Sequence, residues 1–330
     1  MSNRSLSKLG ALVVRSMGAG LAYARGALLD STSVDGDVWQ SSHLTREDRD
    51  ALLTSLLTDR GLEPADLAVH LGEEPIPADR KTHAVMAGLL RRHAPTCFVV
   101  GEEAREDEWQ QAIDAKDGSL IITLDPIDGS VPYSSLTFGY SSNVLAHKRW
   151  RIGDSLEIGG VANSSGITAL WDNGNVFIGD VNDMDSFTIA AAPLGEVKEG
   201  SVAVLGALPR HRARIRGVLE NPGSIVFTTA GAPASLGLVA GSLESLVATT
   251  PQTLHDAAFL PALAALHLTI LTEHGESLGQ PEVLALFSRV ARDSSAKGAH
   301  PCPAFVASRS PEAAHRLRSE LGWGLRTGRA

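Results

Sequence analysis

TLDPIDGSVPYSS, residues 123–135, sets Asp125 and Asp128 three positions apart around Pro126 and follows them at once with Gly129-Ser130. Asp-Pro and Asp-Gly pairs make surface turns, because the carboxylate accepts from nearby backbone N–H groups and glycine tolerates positive φ. The same residue types also make two metal ligands that lead into an anion cradle. Here the pair ends the β-branched run SLIIT, so both carboxylates fall at the carboxyl end of a strand, where α/β sheets gather ligand sites. The rest of the chain decides between turn and site.

The whole sequence bounds the answer. At 330 residues, 43% of them hydrophobic and 20% charged, it has an ordinary soluble globular composition with room for two domains. A formal charge of −9 argues against a nucleic-acid polymer as partner, which calls for a basic surface. Phosphate esters stay open to an acidic protein when metal ions bring the positive charge. Cys97 and Cys302 make no disulfide framework, which fits a reducing cytoplasm. Arg15 and Arg25 interrupt the apolar N-terminal stretch, unlike a signal-peptide core, and Leu6, Leu9, Leu12, Val13 and Met17 recur at helical spacing. No run approaches the roughly 18–20 apolar residues of a membrane span, so no membrane is expected.

Along the chain, a polar region at about 31–78 contains a helical piece from Thr45 to Gly61. PADRKTHAVMAGLLRRHAP reads as a helix closed by Pro95, and TCFVV as a strand feeding Gly101-Glu102-Glu103. AREDEWQQAIDAKDG is polar enough to read as a surface excursion. Residues 136–190 turn β-rich, with Asp172-Asn173-Gly174-Asn175 as a hairpin turn. APLGEVKEGS, 192–201, is the expected boundary between an N-terminal domain (1–195) and a C-terminal domain (196–330), where strands and helices alternate. No repeat, Walker-type loop or G-x-G-x-x-G fingerprint occurs.

Acidic residues stand at element ends throughout this layout. Glu102 follows an apolar strand, Asp125 and Asp128 follow another, Asp79 opens a helix, and Asp256 precedes the apolar run AAFLPALAAL. Singly, Asp79 and Asp256 read as helix caps and Glu102 as one of a solvated acidic group. Together they form an oxygen-rich set suited to Mg²⁺.

GEE, then DPIDGS, then HDAAF before an apolar helix resembles the inositol monophosphatase family, whose superfamily includes fructose-1,6-bisphosphatases and bisphosphate nucleotidases. GAPASLGLVAGSLESLVAT, 231–249, is similar to the family's segment before its last motif, and the resemblance runs from about Asp79 to His267. It implies an α/β (α+β) layered α-β-α-β-α sandwich and a Mg²⁺-dependent phosphomonoesterase with two or three ions, Mn²⁺ being an alternative. By the same resemblance Glu102, Asp125 and the Ile127 carbonyl hold a first ion. Asp125, Asp128 and Asp256 hold a second, and Asp79 a third ion or the attacking water. Gly129 and Ser130 offer backbone N–H groups to phosphate, and Ser130 with Glu102 orients and deprotonates the water. A homodimer is usual in that family. Gly72-Glu73-Glu74 also matches the first motif, but it precedes the Asp79 helix, so Glu102 is preferred to Glu73.

Departures bear on the substrate. His255 stands where the family has tryptophan, and is read as a partly buried histidine that packs and hydrogen-bonds beside the substrate rather than as a metal ligand. Ala232 replaces a serine, and Thr249 replaces the glutamate that binds inositol hydroxyls. The implied substrate is thus a small phosphorylated polyol, sugar phosphate or nucleotide. A fructose-1,6-bisphosphatase-like or bisphosphate-nucleotidase-like enzyme is the alternative, with a catalytically inactive metal- or phosphate-binding protein behind it. Tyr133 and Tyr140, and the basic run Arg210, His211, Arg212, Arg214 and Arg216, are further residues that either contact substrate or serve as core and solvated surface.

Overall fold

The computed structural model of the chain describes residues 5–24, 77–101, 103–129, 140–150, 153–205, 213–229, 232–290 and 302–323. Most of the 31–78 segment, Glu73, Glu102, Ser130, Tyr133, Arg210, His211 and Arg212 lie outside the described residues.

Five layers stack in the order α-β-α-β-α. The first is a pair of helices, α1 (Lys8–Ala24) and α2 (Pro77–His93), packed on each other and on a seven-stranded sheet. Val13, Met17 and Leu21 recur every four residues along α1, and Met86 and Leu90 do so along α2. That spacing lays each set on one helix face, against Val99, Ile122, Leu124, Val144, Ile158 and Leu170 of the sheet. Each such side chain taken fully out of water stabilises the fold by about 1.5–3 kcal/mol. Tyr140 is buried in this same cluster, which makes it a core residue.

The seven strands run in sequence order: β1 (Phe98–Gly101), β2 (Leu120–Asp128), β3 (Ser141–Trp150), β4 (Gly153–Asn163), β5 (Ile167–Asp172), β6 (Asn175–Asp180) and β7 (Asp183–Ala190). Only β1 and β2 are parallel, and the remainder is an antiparallel meander. The parallel pair needs a crossover, and α3 (Glu106–Ile113) supplies it. This is the stretch that read as a polar excursion. Only Trp109 and Ala112 of α3 are buried, and that two-residue stripe is too narrow to stand out among charges. The expected hairpin joins β5 to β6, with Asn173 (φ 47°) and Gly174 (φ 88°) as its two left-handed positions.

The chain leaves the first sheet at Ala190 and enters the second at Ser201. The second sheet comprises β8 (Ser201–Leu205), β9 (Ile225–Thr229), β10 (Ser245–Ala248), β11 (Thr269–Thr272) and β12 (Phe305–Ser308), ordered β11-β12-β10-β8-β9. Between the sheets lie α5 (Pro233–Ala240), α6 (Leu260–Ala265) and α7 (Gln280–Val290), whose Leu236, Val239, Leu263 and Phe287 fill the central cluster. On the outer face α4 (Arg216–Glu220) and α8 (Pro311–Glu320) cover Val202, Val204, Val247 and Val306. Among the described residues no helix is long and apolar enough to cross a membrane.

Candidate metal centre

The site begins where β1 and β2 end. Their parallel register sets Gly101 against Leu124, so Asp125 emerges beside the end of β1. On the other side Asp125 pairs with Asn143 and Asp128 with Ser141, with a register shift between the two pairs. Pro126 explains the shift, since it has no N–H to give to the ladder. The irregularity re-aims the two carboxylates at a strand end that a regular ladder would have continued. Both are buried, Asp125 to 4% and Asp128 to 8% exposure. Gly129 follows at φ 98°, a left-handed position that favours glycine.

His255 and Asp256 arrive from the other sheet. After β10 the chain runs through consecutive turns over 254–259 before α6 starts at Leu260, so Asp256 lies in the turn ahead of the helix. The turn is held closely. Gln252 and Cys302 exchange backbone hydrogen bonds, N to O at 2.8 and 3.2 Å, the Asp256 N–H donates to Thr253 Oγ1 (3.3 Å), and the Ala258 N–H donates to the His255 carbonyl (3.2 Å). It is also seated on the first sheet at Gly159 of β4. A Cβ there would lie 3.0 Å from the Ala258 carbonyl oxygen and 3.1 Å from Pro261 Cγ. The missing side chain is what lets the turn approach.

The result is a convergence of three donors. One ligand atom each from Asp125, His255 and Asp256 lie within 4.8 Å of one another. His255 Nε2 is 3.7 Å from Asp256 Oδ1. The His255 and Asp256 side chains are 11% and 32% exposed, so the floor of the group is buried and the Asp256 side faces solvent. Two buried or half-buried carboxylates this close to each other repel unless a cation is shared between them. An oxygen and nitrogen donor set of this kind therefore suits a divalent metal ion.

Other residues singled out in the sequence fall around this group. Asp128 is outside it, and Asp128 Oδ2 accepts from Asn143 Nδ2 (3.0 Å) and from the backbone N–H of Ala232. That carboxylate ties β2 and β3 to the residue ahead of α5, where the helix dipole also favours negative charge. Asp79 is buried in the first turn of α2, with His83 one turn on. Ile127 is buried in the core cluster of the first sheet. Thr249 follows β10, its side-chain oxygen buried without a hydrogen bond among the described residues, and its carbonyl accepts from Arg214 Nη1 (3.3 Å). Arg216 instead pairs with Glu220 at 2.6 Å on an exposed helix face, where ion pairs contribute little. Burial pushes the Cys302 thiol up to about 12, with the Asp256 charge adding to the effect, so it remains a neutral thiol. Sequence reading passed over Asn143 and Thr253; a lone asparagine inside the apolar strand SSNVLA was the only signal for the first.

No protein-family model and no curated protein matches the sequence. Solved structures do match. Extragenic suppressor protein SuhB from Bartonella henselae is 15% identical, with a TM-score of 0.54 over 83% of this chain and 95% of its own. Mycobacterium tuberculosis SuhB is 14% identical, with a TM-score of 0.54 over 97% and 98%. An inositol monophosphatase/NADP phosphatase complexed with Mg²⁺ and phosphate is 13% identical, with a TM-score of 0.53 over 86% and 97%. At these identities the likeness speaks to architecture, and the five-layer order agrees with it: the chain has the inositol monophosphatase fold.

Proposed function

We propose that the protein is a metal-dependent phosphomonoesterase of the inositol monophosphatase superfamily, acting on a small phosphorylated polyol, sugar phosphate or nucleotide. The observation that carries this reading is the meeting of Asp125 with His255 and Asp256 at the strand end, in a fold shared with a phosphatase that binds Mg²⁺ and phosphate. A divalent ion bound there neutralises charge on the phosphate ester and lowers the pKa of a water molecule.

The chain's own groups do the rest. Asp125 approaches the cation side of the pocket from the first sheet and Asp256 from the turn that follows β10 of the second, so their spacing depends on how that turn is seated at Gly159. Gly129 turns the backbone at φ 98°, and its N–H, with that of Ser130, is assigned to a phosphate oxygen. Glu102, directly after Gly101, and the Ser130 hydroxyl are assigned to orienting the attacking water and taking its proton. Asp79, at the start of α2, is assigned to a further ion or to that water. Phosphoryl transfer requires mostly positioning and charge neutralisation, so no protein nucleophile is invoked. The exposed side of Asp256 and the Thr249–Arg214 corner are where the alcohol of the ester is expected to lie. Thr249 has no charge with which to hold a ring of hydroxyls, which favours a substrate other than inositol phosphate.

The test is phosphate release from a panel of sugar, inositol and nucleoside phosphates, with and without a divalent ion, beside Asp125→Asn. Metal-dependent release that Asp125→Asn removes supports the reading. Release that persists after chelation, or in Asp125→Asn, overturns it.

A further inference from the structure

We propose that Asp125, His255 and Asp256 form a one-nitrogen, two-carboxylate site that holds a first-row transition ion of the Zn²⁺ or Co²⁺ kind in preference to Mg²⁺. The proposal deepens the metal-dependent reading above by naming the class of ion, and it departs from an all-oxygen Mg²⁺ site.

The argument starts from donor chemistry. Mg²⁺ is a hard cation that takes oxygen ligands in a near-octahedral shell and keeps several waters. An imidazole nitrogen suits Zn²⁺, Co²⁺, Ni²⁺ and Fe²⁺, so one ring nitrogen in the set moves its preference toward them. His255 is placed to be that donor. It is only 9% exposed, and its ring nitrogen lies within 4.8 Å of oxygens from both carboxylates.

Distance allows a shared ion. Two atoms each about 2.1 Å from one ion stand at most about 4.2 Å apart, and His255 Nε2 and Asp256 Oδ1 are 3.7 Å apart. Among the described residues three donors converge with one side toward solvent, which fits the plan of a catalytic transition-metal site with three protein ligands and one position left for water or substrate. The turn carrying His255 and Asp256 is held by protein contacts of its own, the Gln252–Cys302 bridge, the Thr253 hydroxyl and the seat at Gly159.

The experiment uses the full chain stripped with a chelator and then titrated separately with Co²⁺, Zn²⁺ and Mg²⁺. The visible absorption of Co²⁺ serves as a spectroscopic readout, and the others are measured by calorimetry. Wild type is expected to bind Co²⁺ and Zn²⁺ more tightly than Mg²⁺. His255→Phe should weaken Co²⁺ and Zn²⁺ by about tenfold or more, the equivalent of about 1.4 kcal/mol, and change the Co²⁺ spectrum, with Mg²⁺ affinity nearly unmoved. X-ray absorption at the zinc edge of the wild-type protein needs no variant and should show imidazole scattering. An unchanged Co²⁺ spectrum in His255→Phe, equal losses for all three ions, or oxygen-only scattering at the zinc edge would overturn the proposal. Phosphate release is assayed separately. Imidazole-dependent metal binding without hydrolysis would leave this site standing and remove the phosphatase reading, and Mg²⁺-dependent hydrolysis indifferent to His255 would do the reverse.

Discussion

Asp128→Ala, measured in protein freed of metal, separates two jobs that a buried carboxylate can have. A carboxylate kept for a cation is a liability when the cation is removed, because its charge stays buried beside others of the same sign. Its loss then leaves the apo-protein unchanged or more stable. A carboxylate that serves as a strut behaves in the opposite way. Asp128 Oδ2 accepts from Asn143 Nδ2 at 3.0 Å and from the Ala232 N–H, and Asn143 and Ala232 are both fully buried. Hydrogen bonds to a charged group are worth about 1.5–3 kcal/mol each, and a buried donor left without a partner costs about 1–3 kcal/mol. Two such bonds, offset by relief of a buried charge, give an expected destabilisation of about 3 kcal/mol in Asp128→Ala. Asp128→Asn retains an acceptor oxygen and should lose about half of that. Urea unfolding in chelator, followed by fluorescence and far-UV circular dichroism, reads the difference. Asn143→Ala should also destabilise, and the double variant should fall short of the sum, because both residues act through one hydrogen bond. Apo Asp128→Ala that is as stable as wild type, or more so, would refute the strut.

Three further outcomes follow from other parts of the molecule. Gly159→Val should cost about 1–3 kcal/mol as an overpacked contact and weaken metal binding by displacing the turn against Ala258 and Pro261; a stable variant with wild-type affinity would show that the seat does not position Asp256. His147 is fully buried, neither ring nitrogen has a hydrogen bond among the described residues, and burial followed by the charge of Arg149 lowers its pKa from 6.5 to about 4. The unfolded chain therefore binds a proton that the folded chain refuses between those values, so stability falls as pH drops from 6.5 toward 4, by about 3 kcal/mol in all. His147→Leu should flatten that part of the stability–pH curve, and parallel curves for the two proteins would contradict the assignment. Trp109 Nε1 donates to the Gly101 carbonyl at 3.1 Å, so Trp109→Phe should cost about 1 kcal/mol and, on the role proposed above for the next residue, Glu102, lower activity; a loss of activity without any loss of stability would not fit.

The fold was largely readable because its strands carry clear signals. Runs such as LIIT and CFVV, and the Asn-Gly turn at 173–174, have local explanations that tertiary context did not overrule. Helix α3 was missed because two buried residues among so many charges give no visible period. The start of α6 was set too early because Asp256 looks like a helix cap, whereas the chain makes successive turns before Leu260. In the site, the position of Asp125 followed from the strand end and its meeting with Asp256 from the family resemblance, but the His255 ring among the same atoms did not. That His255 lies beside it depends on a glycine nearly 100 residues upstream in another sheet, and that Asp128 holds Ala232 depends on a contact spanning 104 positions. One-dimensional pattern reading sees neighbours on an element. It does not see which elements are brought face to face.

The seating of the 254–261 turn on β4 has a consequence for how the protein comes apart. Asp125 lies on the meander and His255–Asp256 on the turn that follows β10, so the three donors meet only while that turn is docked on β4. An ion that recognises the docked state alone raises its stability by RT ln(1 + [L]/Kd), about 2.7 kcal/mol at a hundredfold excess over Kd. On the metal-dependent reading proposed above, such a cation would latch the turn to β4, and its escape would mark their separation. Metal release during slow unfolding is thus expected before the meander itself loses structure.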